Sequence, residues 1–332
     1  MLSALMNATL FAVLRLLADG EFHSGQDIAR RLGISRTSVW NALHALDSGM
    51  GIEVFKVRGR GYRLAEPLSL LDHTVIKRHL GARAAHFKIE LLDSTDSTNT
   101  LLMQRVADGA ESGSVIVAEW QTHGRGRRGR AWHTALGSAL TFSVLWRFQQ
   151  GAGFLGGLSL AVSVAVARTL ASLGITDCGV KWPNDVLWHG CKLAGILIEM
   201  QGDMLGPSVA IIGIGLNCRL PDAVRVHIDQ PVVDLEQIIG GKVDRNRLLA
   251  LLLIELDQVL NTFAHDGFAP LRDEWQHRHV YQRKTVKLKL PDGGLVSGTV
   301  EGVAENGALL LTTKAGRRRF HGGDISLHRT AT

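Results

Sequence analysis

Cysteine is scarce in this chain. Cys178, Cys191 and Cys218 are the only three in 332 residues, with no C-x-x-C pair and no histidine beside them at metal-ligand spacing. Neither a disulfide framework nor a protein-bound metal is expected, and a reducing, cytoplasmic setting fits best. Long apolar runs are missing too. The stretch 154–167 meets Arg168 after 14 residues, short for a membrane span and typical of a buried helix. The first residues are apolar but carry no basic segment and no small-residue cleavage site, so no signal peptide and no membrane partner are expected. Repeats and low-complexity tracts do not occur. Acidic residues vanish between Glu119 and Asp177.

What is present describes a globular protein of two or three domains: 45% hydrophobic and 20% charged residues argue against disorder. A net charge of +6 leans toward polyanionic partners, nucleotide or nucleic acid.

The acid-free region opens on residues 121–132, Gln-Thr-His-Gly-Arg-Gly-Arg-Arg-Gly-Arg-Ala-Trp. Gly124, Gly126 and Gly129 allow a tight turn and a close backbone approach. Arg125, Arg127, Arg128 and Arg130 place four guanidinium forks in the same loop, matched to phosphate or carboxylate oxygens. A solvated basic turn is the plainer alternative. The spacing also fits G-x-G-x-x-G, but a dinucleotide site needs a helix next and an acidic residue about 20 positions on. Here 140–146 reads as a strand and the acid is missing, so that reading is rejected.

Ahead of this lies a helix over Leu10–Leu17, a helix from an N-cap at Ser24 to Leu32, and a turn at Gly33. Ser35 caps a third helix over Arg36–Asp47. Val39, Ala42, Leu43 and Leu46 form its buried stripe, leaving Arg36, Thr37, Trp40, Asn41 and His44 outward. Strands at Val54–Val57 and Tyr62–Leu64 flank Arg58-Gly-Arg60-Gly, a basic wing. A helix-turn-helix with a wing is expected to bind DNA, with Arg36, Thr37, Asn41 and His44 toward the bases and Arg58 and Arg60 on phosphates. A packing module that touches no DNA is the competing reading.

Glu66-Pro67 closes this head, and 68–80 reads as a connector. A strand over 88–92 leads into a doubled polar cluster, Asp93-Ser-Thr and Asp96-Ser97-Thr98-Asn99, then a helix over 100–107. Those hydroxyls cap the helix or line a polar pocket. A buried helix is expected over about 154–173. Trp182-Pro-Asn184-Asp185 breaks regular structure where a strand ends, and Lys192-Leu-Ala-Gly195 enters a strand over 196–200. Strand 209–216 carries Gly213-Ile-Gly-Leu-Asn217, and an amphipathic helix over 247–263 follows. From Thr285, short strands and tight turns read as a small antiparallel barrel. Arg317, Arg318 and Arg319 there read as a solvated strand face.

Taken together, Ser97-Thr-Asn99, the arginine loop, Lys181-Trp-Pro-Asn-Asp185 with Lys192-Leu-Ala-Gly195, and Gly213–Asn217 resemble the bifunctional biotin–protein ligase and biotin operon repressor family, over essentially the whole chain. The resemblance implies an α+β protein: a winged helix-turn-helix over 1–66, a mixed-sheet, class II synthetase-like ligase domain over 67–280, and an SH3-like barrel over 281–332. It implies adenylation of biotin by MgATP, then transfer to a lysine of biotin carboxyl carrier protein. It further implies that the adenylate-bound homodimer binds a biotin-synthesis operator. By family pattern Ser97, Thr98, Asn99, Gln121, Arg125, Gly126, Arg127 and Lys192 contact biotin, with Lys192, Arg127 and Arg125 catalytic. Arg128, Arg130, Trp132, Asn184, Asp185 and Asn217 fall on the ATP side. Only the second polar cluster has the asparagine, so the roles are carried to it. Where the family folds a loop over the adenylate, 218–239 offers scattered apolar residues such as Val226 and Val232, and none is assigned. Lipoate or octanoyl ligases share the catalytic fold class, and a non-catalytic, ligand-sensing regulator is the other alternative.

Overall fold

The computed structural model describes residues 2–50, 52–203 and 206–327. The last five residues of the expected terminal unit lie outside them. The head is α1 (Leu2–Leu17), α2 (Gly25–Leu32), α3 (Arg36–His44) and a hairpin of β1 (Val54–Val57) and β2 (Gly61–Leu64). Ser24 and Ser35 cap α2 and α3 by accepting from the amides of Asp27 and Ser38, and Gly33 takes the left-handed conformation between them. Val39, Ala42, Leu43 and Leu46 are buried with Phe11, Leu14 and Leu17. The third helix ends at His44, earlier than expected, and continues as a π turn over Ala45–Gly49.

The head does not stand apart. Its core is completed by Leu136, with Trp120, Leu68 and Leu70 packed against it.

The central unit begins with α4 (His73–Leu80), followed by β3 (Lys88–Thr95), α5 (Thr98–Ala107), β4 (Ser114–Gln121) and β5 (Ala139–Phe148). Then come α6 (Leu158–Ser172), β6 (Cys178–Lys181), β7 (Asp185–Trp188), β8 (Cys191–Gly202) and β9 (Ser208–Asn217). Short helices α7 (Asp222–Arg225) and α8 (Leu235–Ile239) precede α9 (Arg245–Asp266) and α10 (Ala269–Arg278). The seven strands form one sheet in the order β3-β4-β5-β9-β8-β7-β6. Only the β3–β4 pair is parallel. Helices α4, α6 and α9 cover one face with a large apolar core, and α5 covers part of the other. Helix α9 is long and apolar enough by composition to cross a bilayer, but Leu249, Leu252, Leu253, Leu256 and Leu260 are fully buried in that core.

The chain ends in β10 (Thr285–Lys289), β11 (Leu295–Val303), β12 (Leu309–Thr313), β13 (Gly316–Phe320) and β14 (Asp324–Leu327). These make a small SH3-like antiparallel unit in the order β13-β12-β11-β10-β14. It is tied to the sheet domain where Trp182 donates its indole N–H to the Gly307 carbonyl at 3.0 Å.

Candidate functional site

The α5-side face of the sheet is unusually bare. Side chains alternate along a strand, so Ile212, Ile214 and Leu216 of β9 enter the core while Gly213, Gly215 and Asn217 face the other way. Register aligns these positions across strands. Thr141 of β5 pairs Gly215, Gly215 pairs Gly195 of β8, and Gly195 pairs Asp185 of β7. One row further, Ser143 pairs Gly213, which pairs Leu197. Three glycines thus clear a floor that larger residues would fill.

The second polar cluster stands at one end of this floor. Ser97 occupies the N-cap position of α5 but makes no side-chain cap bond, so the capping alternative fails. Thr98 and Asn99 are buried in the first turn. Thr98 donates its amide to Oε1 of Gln121 at 2.8 Å and shares a 2.7 Å bond with Ser143. Ser143 donates to Asn99 Oδ1 at 2.6 Å, and Asn99 Nδ2 donates to Glu199 at 2.8 Å. The first cluster is elsewhere: Asp93, Ser94 and Thr95 end β3, and Asp93 pairs with Arg15 of the head.

The arginine loop folds over the floor as a small hairpin, with Gly126 N–H to Arg130 O at 2.7 Å and Trp132 N–H to Gly124 O at 2.8 Å. Arg128 takes a left-handed φ of 57° within it. The acid-free sequence leaves these guanidinium groups without neighbours in the chain, yet distant carboxylates meet all four. Arg125 reaches Glu199 at 2.9 Å, and Asp324 of β14 collects Arg127 at 3.5 Å, Arg128 at 3.1 Å and Arg130 at 2.8 Å. Burial pushes the Arg127 pKa down, with Asp324 opposing it. Arg127 also donates to Asn184 Oδ1 at 3.2 Å. The Trp132 ring lies against Gly195 and Gly215, and its indole N–H is buried without a partner.

At the opposite end, β6 and β7 form a hairpin that the sequence reading did not contain. Its turn is Trp182–Asn184 with a cis Trp182–Pro183 bond. Asp185 receives Lys192 Nζ at 2.7 Å and Lys181 Nζ at 3.2 Å. Burial raises its carboxyl pKa, but the two lysines outweigh burial and hold it below the usual carboxylate value. Lys192 also lies 5.6 Å from the Trp132 ring centroid. Asn217 donates to the carbonyls of Lys192 and Val233. Residues 231–233 run beside Lys192, whose N–H meets Pro231 O at 2.8 Å and whose carbonyl accepts from Val233.

One pocket therefore gathers Ser97, Thr98, Asn99, Gln121, Arg125, Gly126 and Arg127 with Arg130, Trp132, Asn184, Asp185, Lys192 and Asn217. Arg128 does not line it, although it shares Asp324 with Arg127 and Arg130. Its wall also takes Ile228, Gln230 and Val232 from the unassigned 218–239 segment, while Val226 is 76% exposed. His133, Lys181 and Asp324 line it as well; none of them has a site role in the sequence reading, although Lys181 opens one of the motifs. Lys181 carried a signal, standing four residues before Asp185, whereas Asp324 carried none. In the head, Arg36, Thr37, Asn41 and His44 are exposed on α3. Arg58 lies in the hairpin turn, and Arg60 stacks its guanidinium on Phe22 at 4.2 Å.

Fold and pocket together define a synthetase-like ligase that carries a winged-helix head. Models of three families match in order: an HTH domain over 9–63, the biotin/lipoate A/B protein ligase family over 91–217, and a biotin protein ligase C-terminal domain over 284–328. The bifunctional ligase/repressor BirA of Escherichia coli is 36% identical, covering 97% of this chain and 98% of its own. A biotin–[acetyl-CoA-carboxylase] ligase of Mycobacterium tuberculosis is 32% identical over 79% of this chain and 97% of its own. The Aquifex aeolicus biotin protein ligase solved with biotin and ATP superposes with a TM-score of 0.61 at 28% identity, covering 73% of this chain and 99% of that one. The chain belongs to the bifunctional biotin–protein ligase and repressor family.

Proposed function

We propose that this chain is an ATP-dependent biotin–protein ligase, biotin–[acetyl-CoA-carboxylase] ligase, and a biotin-responsive repressor of a biotin-synthesis operon. The observation that carries the ligase reading is the convergence of an amide-and-hydroxyl end, an arginine loop and Lys192 on one glycine-cleared floor. Ser97, Thr98, Asn99 and Gln121 suit a ureido ring, which needs both donors and acceptors. Arg125, Gly126, Arg127 and Lys192 suit the carboxylate and the α-phosphate. Lys192, with Arg127 and Arg125, stabilises the charge that builds on the phosphoryl oxygens when the carboxylate attacks and pyrophosphate leaves. The same cations steady the departing AMP when the carrier's lysine amine attacks the acyl carbon. Arg130, Trp132, Asn184, Asp185 and Asn217 flank the nucleotide, whereas Arg128, outside the pocket lining, is held on Asp324. Asp185 and Asp324 are already engaged by cations, and among the described residues no cluster of three metal-ligating side chains occurs. In this reading Mg2+ enters as a companion of the triphosphate.

The acceptor is a biotin carboxyl carrier protein, and residues 1–66 meet operator DNA through Arg36, Thr37, Asn41, His44, Arg58 and Arg60. Dimerisation of the adenylate-bound form and a cytoplasmic location belong to the same reading. ATP–pyrophosphate exchange, run with biotin, with lipoate and with neither, tests it. Exchange that requires biotin is expected. Exchange with lipoate alone moves the chain to the sister ligases, and binding of biotin without exchange makes it a sensor.

A further inference from the structure

The outward face of α3 holds one residue that a polar DNA surface does not explain. Trp40 is 53% exposed. Arg36, Trp40 and His44 follow at four-residue spacing and form one ridge of the helix, with Thr37 and Asn41 on the next. The Trp40 ring lies parallel to the His44 ring within 8°, centroids 5.4 Å apart. Beneath them Val39, Ala42, Leu43 and Leu46 already fill the core, so the indole closes no cavity. Left in water, so large a ring gains little from folding.

Its surroundings indicate what covers it. No acidic residue occurs from Ser35 to Leu46. Arg36 stands at the start of the helix, and the wing presents Arg58 and Arg60. An apolar plate in the middle of a cationic, otherwise polar helix face complements the major groove, where thymine alone offers a methyl group among polar base edges. We infer that Trp40, braced by His44, is a specificity-determining residue of the head that packs against the C5-methyl of a thymine. This rests on the DNA-binding reading above.

The full chain, supplied with biotin and ATP, is used to select duplexes from a randomised library, and the best binder becomes the probe. Each thymine is then replaced in turn by deoxyuridine, which deletes one methyl. At one or two positions the unmodified protein should lose about fourfold in affinity, the worth of one buried methyl. Trp40→Ala should bind the thymine probe more weakly by at least that factor and be indifferent to the same replacement. Trp40→Phe should keep most of the affinity. Unchanged biotin ligation by Trp40→Ala shows that the variant is folded. A flat deoxyuridine scan, or a methyl penalty equally large in Trp40→Ala, overturns the inference and leaves DNA binding standing. Selection of no duplex at all removes the DNA-binding reading and this inference together.

Discussion

In Lys192→Ala, the ammonium 2.7 Å from Oδ1 of Asp185 disappears, and with it the charge 5.6 Å from the Trp132 ring centroid. Two costs follow, and they can be separated. Breaking a buried ion pair usually costs ~3–5 kcal/mol because the surviving charge is stranded. Here Lys181 remains at 3.2 Å from the same carboxylate, so the expected loss of stability is smaller, about 1–3 kcal/mol. The catalytic cost is larger. Removing one preorganised donor from a developing oxyanion lowers the rate roughly 10²–10³-fold, about 3–4 kcal/mol. Biotin-dependent pyrophosphate exchange reads the first step, and single-turnover transfer from preformed biotinyl-5′-AMP to carrier protein reads the second. Both should fall in that range while thermal unfolding remains cooperative. Exchange within about threefold of the unmodified enzyme would refute an electrostatic role.

The same substitution changes the acid limb of stability. With its pKa depressed by the lysines, Asp185 contributes stability that is fully present above the ordinary carboxylate value. That contribution is lost as pH falls toward the lower, folded value. Without Lys192 the folded value rises toward the ordinary one, so less stability is there to lose as pH falls below the ordinary carboxylate value.

Gly215→Ala puts a Cβ 2.6 Å from Cζ2 of Trp132, so the ring must leave the floor. Exchange should drop at least about tenfold with the circular dichroism spectrum retained, and full activity would show that the ring position is dispensable. Asp324→Ala removes the carboxylate shared by Arg127, Arg128 and Arg130. Tryptic cleavage within the ligand-free loop should accelerate about fivefold, and an unchanged cleavage rate would show that Asp324 does not hold the loop. Burial pushes the Cys178 and Cys218 thiols up to about 12, so a disulfide reagent at pH 8 should modify only Cys191 rapidly in native protein. Fast reaction at a second thiol contradicts that burial.

Local signals and long-range placement part company in this chain. The winged head was readable because its determinants are local: Ser24, Gly33 and Ser35 act within four residues, and the α3 stripe repeats at helical spacing. The arginine loop and Gly213–Asn217 were readable as backbone that approaches something closely. Sequence could not show that Glu199 and Asp324 meet those arginines from about 70 and 190 positions away, because nothing in a strand's composition names its partner across a fold. The β6–β7 hairpin was hidden for a related reason. Each strand has four residues, too few for periodicity, and pairing rather than propensity makes them strands. The floor itself was half visible. Gly213 and Gly215, at alternate positions of one strand, announce a cleared face, but the alignment of Gly215 with Gly195, Thr141 and Asp185 is a matter of register.

That register also explains why the head and the pocket cannot be treated as independent. Strand β4 delivers Trp120 to the head's core and Gln121, the next residue, to the pocket. After the arginine loop the chain returns Leu136 to the same core. The loop is therefore clamped at both ends by residues seated in the winged head, and a Glu66–Arg219 ion pair at 2.5 Å joins the head to the segment after β9. Ordering a loop costs ~1–2 kcal/mol per residue in backbone entropy, and two fixed ends lower the share that a ligand must supply. Linkage makes such an effect reciprocal. Were a shift of the head on its seat to move the ends of the loop, a ligand that fixes the loop would restrain the seat by the same free energy.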